Sequence, residues 1–367
     1  MNFFLILTTE CNLRCSYCYG KIWDEGKDEV MDKDIDYFLP MKISYDIRKL
    51  AGFCKKDKNC GILLYGGEPL LEMEKLKEVM DNVPAKSFIL QTNGILLDKL
   101  PEKYIGKLDG LQVSVDGDRI TTDNYRGKGT YDKIIANIRK SKPAFNGELI
   151  ARMTVAEGTD IFKQAVHLIG LGLFDAVHWQ VDANFGPDYK KRHFRKWAEE
   201  SYNPGITKLA ELWLSEMRKG NVLRIYPFLG IMDSLLKGEA SRLRCGAGWA
   251  HYSIQTDGNI APCPVMAGMK KFYAGNLDSS PNRLKQFDVG EPCTSCKIKS
   301  LCGGRCLYGN AHDFWGRKGQ SEVCDTVNHL IKEMQSIEPD VKELIQARVV
   351  SIEDFDYTKF NSCEIIP

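Results

Sequence analysis

The cysteines constrain this chain more than any other feature. There are thirteen, and ten fall into two groups: Cys11, Cys15 and Cys18 near the start, and seven between Cys245 and Cys324. Cys54, Cys60 and Cys363 stand apart. The chain has 367 residues, long enough to bury a core without disulfide staples, and the count is odd. Clustered thiols in such a chain point to metal ligation.

Composition narrows the class further. Hydrophobic residues make up 43% and charged residues 27%, ordinary for a globular protein. The formal net charge is +1, which argues against a nonspecific polyanion binder, so no nucleic acid is expected. No apolar run approaches the roughly 20 residues of a membrane span, and Met1–Leu7 lacks a signal peptide's basic start. The expectation is a cytoplasmic protein without a membrane partner.

The first half alternates short apolar runs with amphipathic stretches, the mark of βα units around a parallel sheet. Strands are expected at Phe3–Leu7, Ile62–Tyr65, Ser87–Gln91, Leu111–Val115, Leu149–Val155 and Ala176–Val181. Helices are expected at Asp34–Leu50, Glu72–Asp81, Thr130–Lys140 and Asp160–Leu171, with more near Lys191–Lys219 and at Tyr226–Lys237. Six such units favour an α/β fold of partial (β/α)6 barrel type. From about Cys245, turn residues and cysteines crowd together and periodicity fades, as in a segment that folds around metal. A last helix is expected at Val323–Met334, extending toward Arg348.

Cys11-Asn-Leu-Arg-Cys15-Ser-Tyr-Cys18 directly follows the first strand. Three thiolates on one loop can hold three irons of a [4Fe–4S] cube and leave the fourth open to an external ligand. A zinc site is the alternative, although zinc normally takes four ligands and no nearby residue completes the set. Further along, Tyr65-Gly66-Gly67-Glu68-Pro69 follows the second strand, Gln91-Thr92-Asn93-Gly94 ends the third, and Ser114-Val115-Asp116-Gly117 ends the fourth, with Arg126 twelve residues after Ser114. Singly these are turn dipeptides, a helix start and a surface charge; their order along successive strands is what chance would not supply.

In these residues the sequence resembles the radical S-adenosylmethionine (SAM) enzymes, whose signature is Cys-x3-Cys-x-aromatic-Cys, with Tyr17 in the aromatic position. The resemblance implies that Cys11, Cys15 and Cys18 hold a catalytic [4Fe–4S] cluster. It implies a SAM site at Tyr17, Gly66, Gly67, Glu68, Thr92, Asn93, Ser114, Asp116 and Arg126. The glycines would let backbone carbonyls approach the SAM amino group while Glu68 balances its charge.

The second group reads Cys245-x12-Gly258-x4-Cys263, then Cys293-x2-Cys296-x5-Cys302-x3-Cys306, then Cys324. It resembles the SPASM extension of peptide-modifying radical SAM enzymes; a zinc ribbon is the alternative, though seven ligands do not divide into four-cysteine sites. The resemblance implies an outer auxiliary cluster on Cys293, Cys296, Cys302 and Cys324, and an inner one on Cys245, Cys263 and Cys306. Some relatives supply a further inner ligand six residues before the first, where this chain has Glu239. Sulfatase-maturating relatives carry an aspartate base after the cysteine matching Cys263, and here Pro264 stands there.

The implied organisation is a radical SAM barrel over 1–225, a helical bridge over 226–244, a SPASM domain over 245–330 and a C-terminal helix and tail over 331–367. The implied cofactors are SAM and three [4Fe–4S] clusters. The implied activity is reductive cleavage of SAM to a 5′-deoxyadenosyl radical that abstracts hydrogen from a ribosomally made peptide or protein. The products would be a thioether or carbon–carbon crosslink, an epimer or an oxidised residue. Arg152, His178, Gln180 and Asp182, at later strand ends, are candidate substrate contacts, with strand alternation or a salt bridge as the plainer reading. An electron donor such as flavodoxin or ferredoxin is expected. Met1 lies almost at the first strand, so no leader-binding domain is expected within the chain, and a separate leader-peptide-binding protein is a candidate partner. The alternatives are an enzyme of sulfatase-maturase type or acting on a small molecule, and a noncatalytic iron–sulfur electron-transfer protein.

Overall fold

The computed structural model describes residues 1–18, 34–182, 192–312, 316–359, 361 and 363. In chain order the strands are β1 (Asn2–Ile6), β2 (Gly61–Tyr65), β3 (Ser87–Thr92), β4 (Gly110–Ser114), β5 (Glu148–Val155), β6 (Ala176–Val181), β7 (His251–Ile254), β8 (Asn259–Ala261) and β9 (Gly275–Asn276). The longer helices are α1 (Ile47–Cys54), α2 (Met73–Asn82), α3 (Arg119–Arg126), α4 (Thr130–Ser141), α5 (Ile161–Gly170), α6 (Asn203–Met217), α7 (Tyr226–Lys237) and α8 (Gly316–Gln346). All six expected strands are present, each within a residue or so of its expected ends.

Two compact bodies make up the chain. One comprises Met1–Val115, Thr122–Ile150 and Gly246–Asp288; the other comprises Asp116–Thr121, Ala151–Cys245 and Val289–Pro367. In the first, the strand order is β4-β3-β2-β1-β7-β8-β9. β1 to β4 pair in parallel, as βα connections require, and their buried apolar faces explain the near-continuous runs in sequence. Phe3 meets Phe53 of α1 edge-on at 5.1 Å, and Phe4, Leu63 and Ile89 pack together with Tyr65. In the second body Trp213 of α6 packs edge-on against Phe228 of α7 and Phe355, and Trp179 of β6 meets the same Phe228. α8 packs on α6 and α7.

Two expectations are corrected. The helix expected over Asp34–Leu50 starts only at Ile47, where the Asp46 side chain accepts from the Arg48 N–H at 2.8 Å. Upstream, the backbone donors are spent on neighbours: Ile43 N–H on Leu7 O, Ser44 N–H on Thr256 O, and Asp36 N–H on Gly268 O, while Pro40 has none to give. The stretch near Lys191–Lys219 is broken into Phe194–Trp197, a π-helical turn over Ala198–Tyr202, and α6, whose first turn holds Pro204; Lys191 lies outside the described residues.

The chain after Cys245 supplies a further strand to the sheet of the first body. His251–Ile254 forms a strand that pairs in parallel with β1, Asn2 opposite His251 and Leu5 opposite Ile254. The chain from Gly246 to Asp288 therefore belongs with the first strands rather than with the later cysteines. Among the described residues, no helix is long and apolar enough to cross a membrane.

Candidate functional site

The three-cysteine loop leaves the carboxyl end of β1, and the turn after β2 fastens its entry. Gly67 N–H donates to Thr8 O and Glu68 N–H to Glu10 O, both at 2.8 Å. A Cβ on Gly66 would sit 2.3 Å from Thr8 O, and one on Gly67 would sit 2.2 Å from Glu10 O. The glycines are needed because another backbone lies against them.

Glu68 is fully buried and turned inward. Its carboxylate accepts from Leu70 N–H at 3.0 Å, Thr92 Oγ1–H at 2.8 Å and Asn93 N–H at 2.7 Å, so it joins the β2 turn to the end of β3. Asn93 carries the connection onward, its Nδ2 donating to Asn12 Oδ1 at 2.7 Å and to Cys11 Sγ at 3.7 Å. Thr92 and Asn93 are therefore structural members of a relay from Glu68 to Cys11. In this arrangement the Glu68 carboxylate orients the loop.

Burial pushes the Glu68 carboxyl up to about 7, against the pull of its three donors. A folded-state value above the unfolded one gives stability that is full below about 4.5 and lost as pH rises through about 7, roughly 3 kcal/mol in all. The urea stability gap between the wild type and a pH-insensitive Glu68→Gln variant is thus expected to shift against the wild type between pH 5 and pH 8. A gap that stays constant would show that burial does not control this carboxyl.

Cys11 and Cys18 are exposed and Cys15 is half-buried. The Cys11 sulfur also accepts from the Leu13 N–H at 3.5 Å and senses Cys18. The end of α3 reaches the same loop: Tyr125 O accepts from the Ser16 N–H at 3.0 Å, the Tyr17 and Tyr125 rings lie 5.5 Å apart, and the Arg126 guanidinium lies 5.6 Å from the Tyr17 ring centre. Tyr17 and Arg126 are thus brought together, with Arg126 largely buried. Ser114 ends β4, half-buried.

Asp116 belongs to the second body, where its buried carboxylate accepts from the Thr154 N–H of β5 at 2.9 Å. Arg152 points one nitrogen at Cys363 Sγ, 3.8 Å away, and the other at Gln180 Oε1, 3.5 Å away. His178 is fully buried with neither ring nitrogen hydrogen-bonded, and burial together with the Arg152 charge holds it well below the usual histidine range. Asp182 pairs with Arg192 at 3.1 Å, and Arg192 Nε also donates to Glu157. Of the four candidate contacts, Arg152 and Gln180 meet, while Asp182 is the salt bridge of the plainer reading. Cys363, unclustered in sequence, is delivered by a tail tied to α7: Lys359 contacts Asp233 at 3.2 Å, and Asn361 Nδ2 donates to Tyr226 OH at 2.6 Å. Nothing local in sequence signals that contact.

Cys293, Cys296, Cys302 and Cys324 also lie in the second body, near enough that their negative charges and burial push the Cys293 thiol up to about 11. The backbone N–H groups of Gly304 and Arg305 donate to Cys302, and the Arg305 and Arg244 charges oppose its burial. Four soft thiols with N–H donors and cations around them suit an iron–sulfur cluster, whose net negative charge those groups offset. Cys245 and Cys306 are in the second body and Cys263 is in the first, just before the turn Pro264–Met266. Among the described residues, no group of three or more His, Cys, Asp or Glu side chains is drawn in around a single metal ion.

Parts of the chain are similar to known proteins. Residues 5–161 match the Radical SAM superfamily. The chain is 24% identical over 342 residues to a cysteine-type anaerobic sulfatase-maturating enzyme of Clostridium perfringens strain 13, covering 81% of this chain and 85% of the relative. It is 33% identical over 142 residues to a probable GTP 3',8-cyclase of Methanocaldococcus jannaschii, covering 37% of this chain and 43% of that protein. Among solved structures it is similar in fold to native anSMEcpe with bound AdoMet, with TM-score 0.68, 19% identity, and coverage of 93% and 99% of the two chains. It is also similar to SuiB of Streptococcus suis bound to its precursor peptide SuiA, with TM-score 0.52, 13% identity, and coverage of 83% and 71%.

Proposed function

We propose that this chain, a radical SAM enzyme whose domain of that type spans residues 5–161, modifies a peptide or protein substrate. The observation that carries the reading is the Cys11/Cys15/Cys18 loop, held at the carboxyl end of β1 by the Glu68–Asn93 relay with two thiols open to solvent. The likeness to sulfatase-maturating enzymes over most of both chains supports a macromolecular substrate. Cys11, Cys15 and Cys18 would hold a [4Fe–4S] cluster, which with SAM would supply reductive radical chemistry.

The protein's own share is positioning. The relay fixes the loop against β3, which would hold its thiols in place for a cluster, and Arg126 with Tyr17 closes one side of the loop with a cation stacked on an aromatic face. The Arg126 charge suits a ligand carboxylate. Cys293, Cys296, Cys302 and Cys324 would hold one auxiliary cluster, and Cys245 and Cys306 would contribute to another. The electron enters from a carrier of flavodoxin or ferredoxin class.

Sulfatase maturation is the second reading, favoured by the same similarity; Pro264, where those relatives carry an acid, counts against it. One experiment separates the readings. The anaerobically reconstituted enzyme is given SAM, a reductant, and in turn a sulfatase-derived cysteine peptide, other small cysteine-containing peptides, and small metabolites. The expected result is 5′-deoxyadenosine formed in step with a mass change in a peptide other than the sulfatase one. Conversion of the sulfatase cysteine to an aldehyde would establish the second reading, and turnover with a metabolite alone would sink both.

A further inference from the structure

Asn310 stands on the short helix Leu307–His312, just after Cys306. Its Oδ1 accepts from the Gly290 N–H at 2.7 Å. Its Nδ2 donates to Gly290 O at 3.3 Å, to Glu291 O at 3.2 Å, and to Cys293 Sγ at 3.6 Å, within the longer reach of a sulfur acceptor. One side chain thus clamps the chain entering Cys293 and presents an N–H to its sulfur.

We propose that Asn310 is a positioning residue for the cluster on Cys293, Cys296, Cys302 and Cys324, and that its N–H on the Cys293 sulfur raises that cluster's reduction potential. The proposal rests on the reading of those four thiols as the ligands of one cluster. Reduction adds one electron to the cube without making or breaking a bond, and the thiolate sulfurs carry part of the added charge. A donor aimed at a sulfur therefore stabilises the reduced form more than the oxidised one.

The surroundings act in the same direction. Gly304 and Arg305 donate backbone N–H groups to Cys302, and the Arg305 charge also reaches Cys324. The first loop has a comparable amide, Asn93 on Cys11, with the Glu68 carboxyl acting on Cys11 and the Arg126 guanidinium beside Tyr17.

The test uses the full reconstituted chain carrying Cys11→Ala, Cys15→Ala and Cys18→Ala, so that the first cluster's signal is absent. Asn310→Asp keeps the size and the Oδ1 acceptor and replaces the N–H donor by an oxygen. Reductive titration with titanium(III) citrate, followed by electron paramagnetic resonance, is expected to show unchanged iron and one step moved to more negative potential. Neither step moving, or both moving together, overturns the proposal. Should the Asp variant release iron, 15N-asparagine in the unsubstituted Asn310 chain decides the matter. A coupled nitrogen in the pulsed spectrum of a reduced cluster supports it, and none overturns it. Separately, a Cys293→Ala chain that keeps all its iron would sink the cluster reading itself, which the Asn310 variants leave untouched.

Discussion

Replacing Cys11, Cys15 and Cys18 together by alanine is expected to lower bound iron from about twelve to about eight per chain, the loss of one [4Fe–4S] cube from three. 5′-Deoxyadenosine formation should fall at least about a thousandfold, because no other group in the first body offers three thiols on one loop for SAM and the electron to meet. The fold should barely notice. Cys11 and Cys18 are exposed, so truncating them costs within about 0.5 kcal/mol each, and circular dichroism should match the wild type. Iron, sulfide and zinc analysis after anaerobic reconstitution checks the first part and chromatography of the nucleoside the second. A variant that retains twelve irons, or still cleaves SAM, would remove the loop from the mechanism. About four irons with bound zinc in the wild type would make the later cysteines a structural zinc site.

The second large effect is expected from a single methyl group. A Cβ at Gly67 would lie 2.2 Å from Glu10 O and 2.6 Å from Thr9 O, both backbone atoms with no rotamer to retreat into. The Thr9–Glu10 segment must move, and it leads directly into Cys11. Overpacking of this kind costs about 1–3 kcal/mol. A shift of about an ångström at the loop should reduce SAM cleavage on the order of a hundredfold even where the cluster still loads. Gly52→Ala is the matched control: it lies in α1 with nothing within 4 Å of its added methyl, and it should raise stability by roughly 0.5–1 kcal/mol. Equal SAM cleavage by the two variants would show that the loop tolerates displacement and that the Gly66–Gly67 turn does not set its position.

Much of this molecule was readable from short-range pattern. β6 and α7 have the expected bounds, Ala176–Val181 and Tyr226–Lys237, because a buried alternating run and a Pro-opened, Gly-closed amphipathic run are local signals. The cysteine spacings are local signals of the same kind. What escaped depends on partners far along the chain. Residues 34–46 carry helical periodicity yet spend their N–H groups on Leu7, Thr256 and Gly268. The direction in which the Glu68 carboxylate turns is likewise not written in the two glycines before it. The structure turns it toward Thr92 and Asn93. Cys363 meets Arg152 across 211 positions of sequence, and Asn310 meets Cys293 across 17. Neither distance leaves a periodic trace.

The pairing of β7 with β1 has a consequence for how the protein is made. β1 leaves the ribosome before the rest of its sheet, and its neighbour on one side, β2, follows within about sixty residues. Its neighbour on the other side begins only at His251. At roughly 5–20 residues per second, that edge of β1 stays bare for about 12–50 s of synthesis, with its N–H and C=O groups ready to join another strand. A nascent chain stalled before residue 251 should therefore be sticky and bound by chaperones, and one stalled after β7 clears the exit tunnel should not.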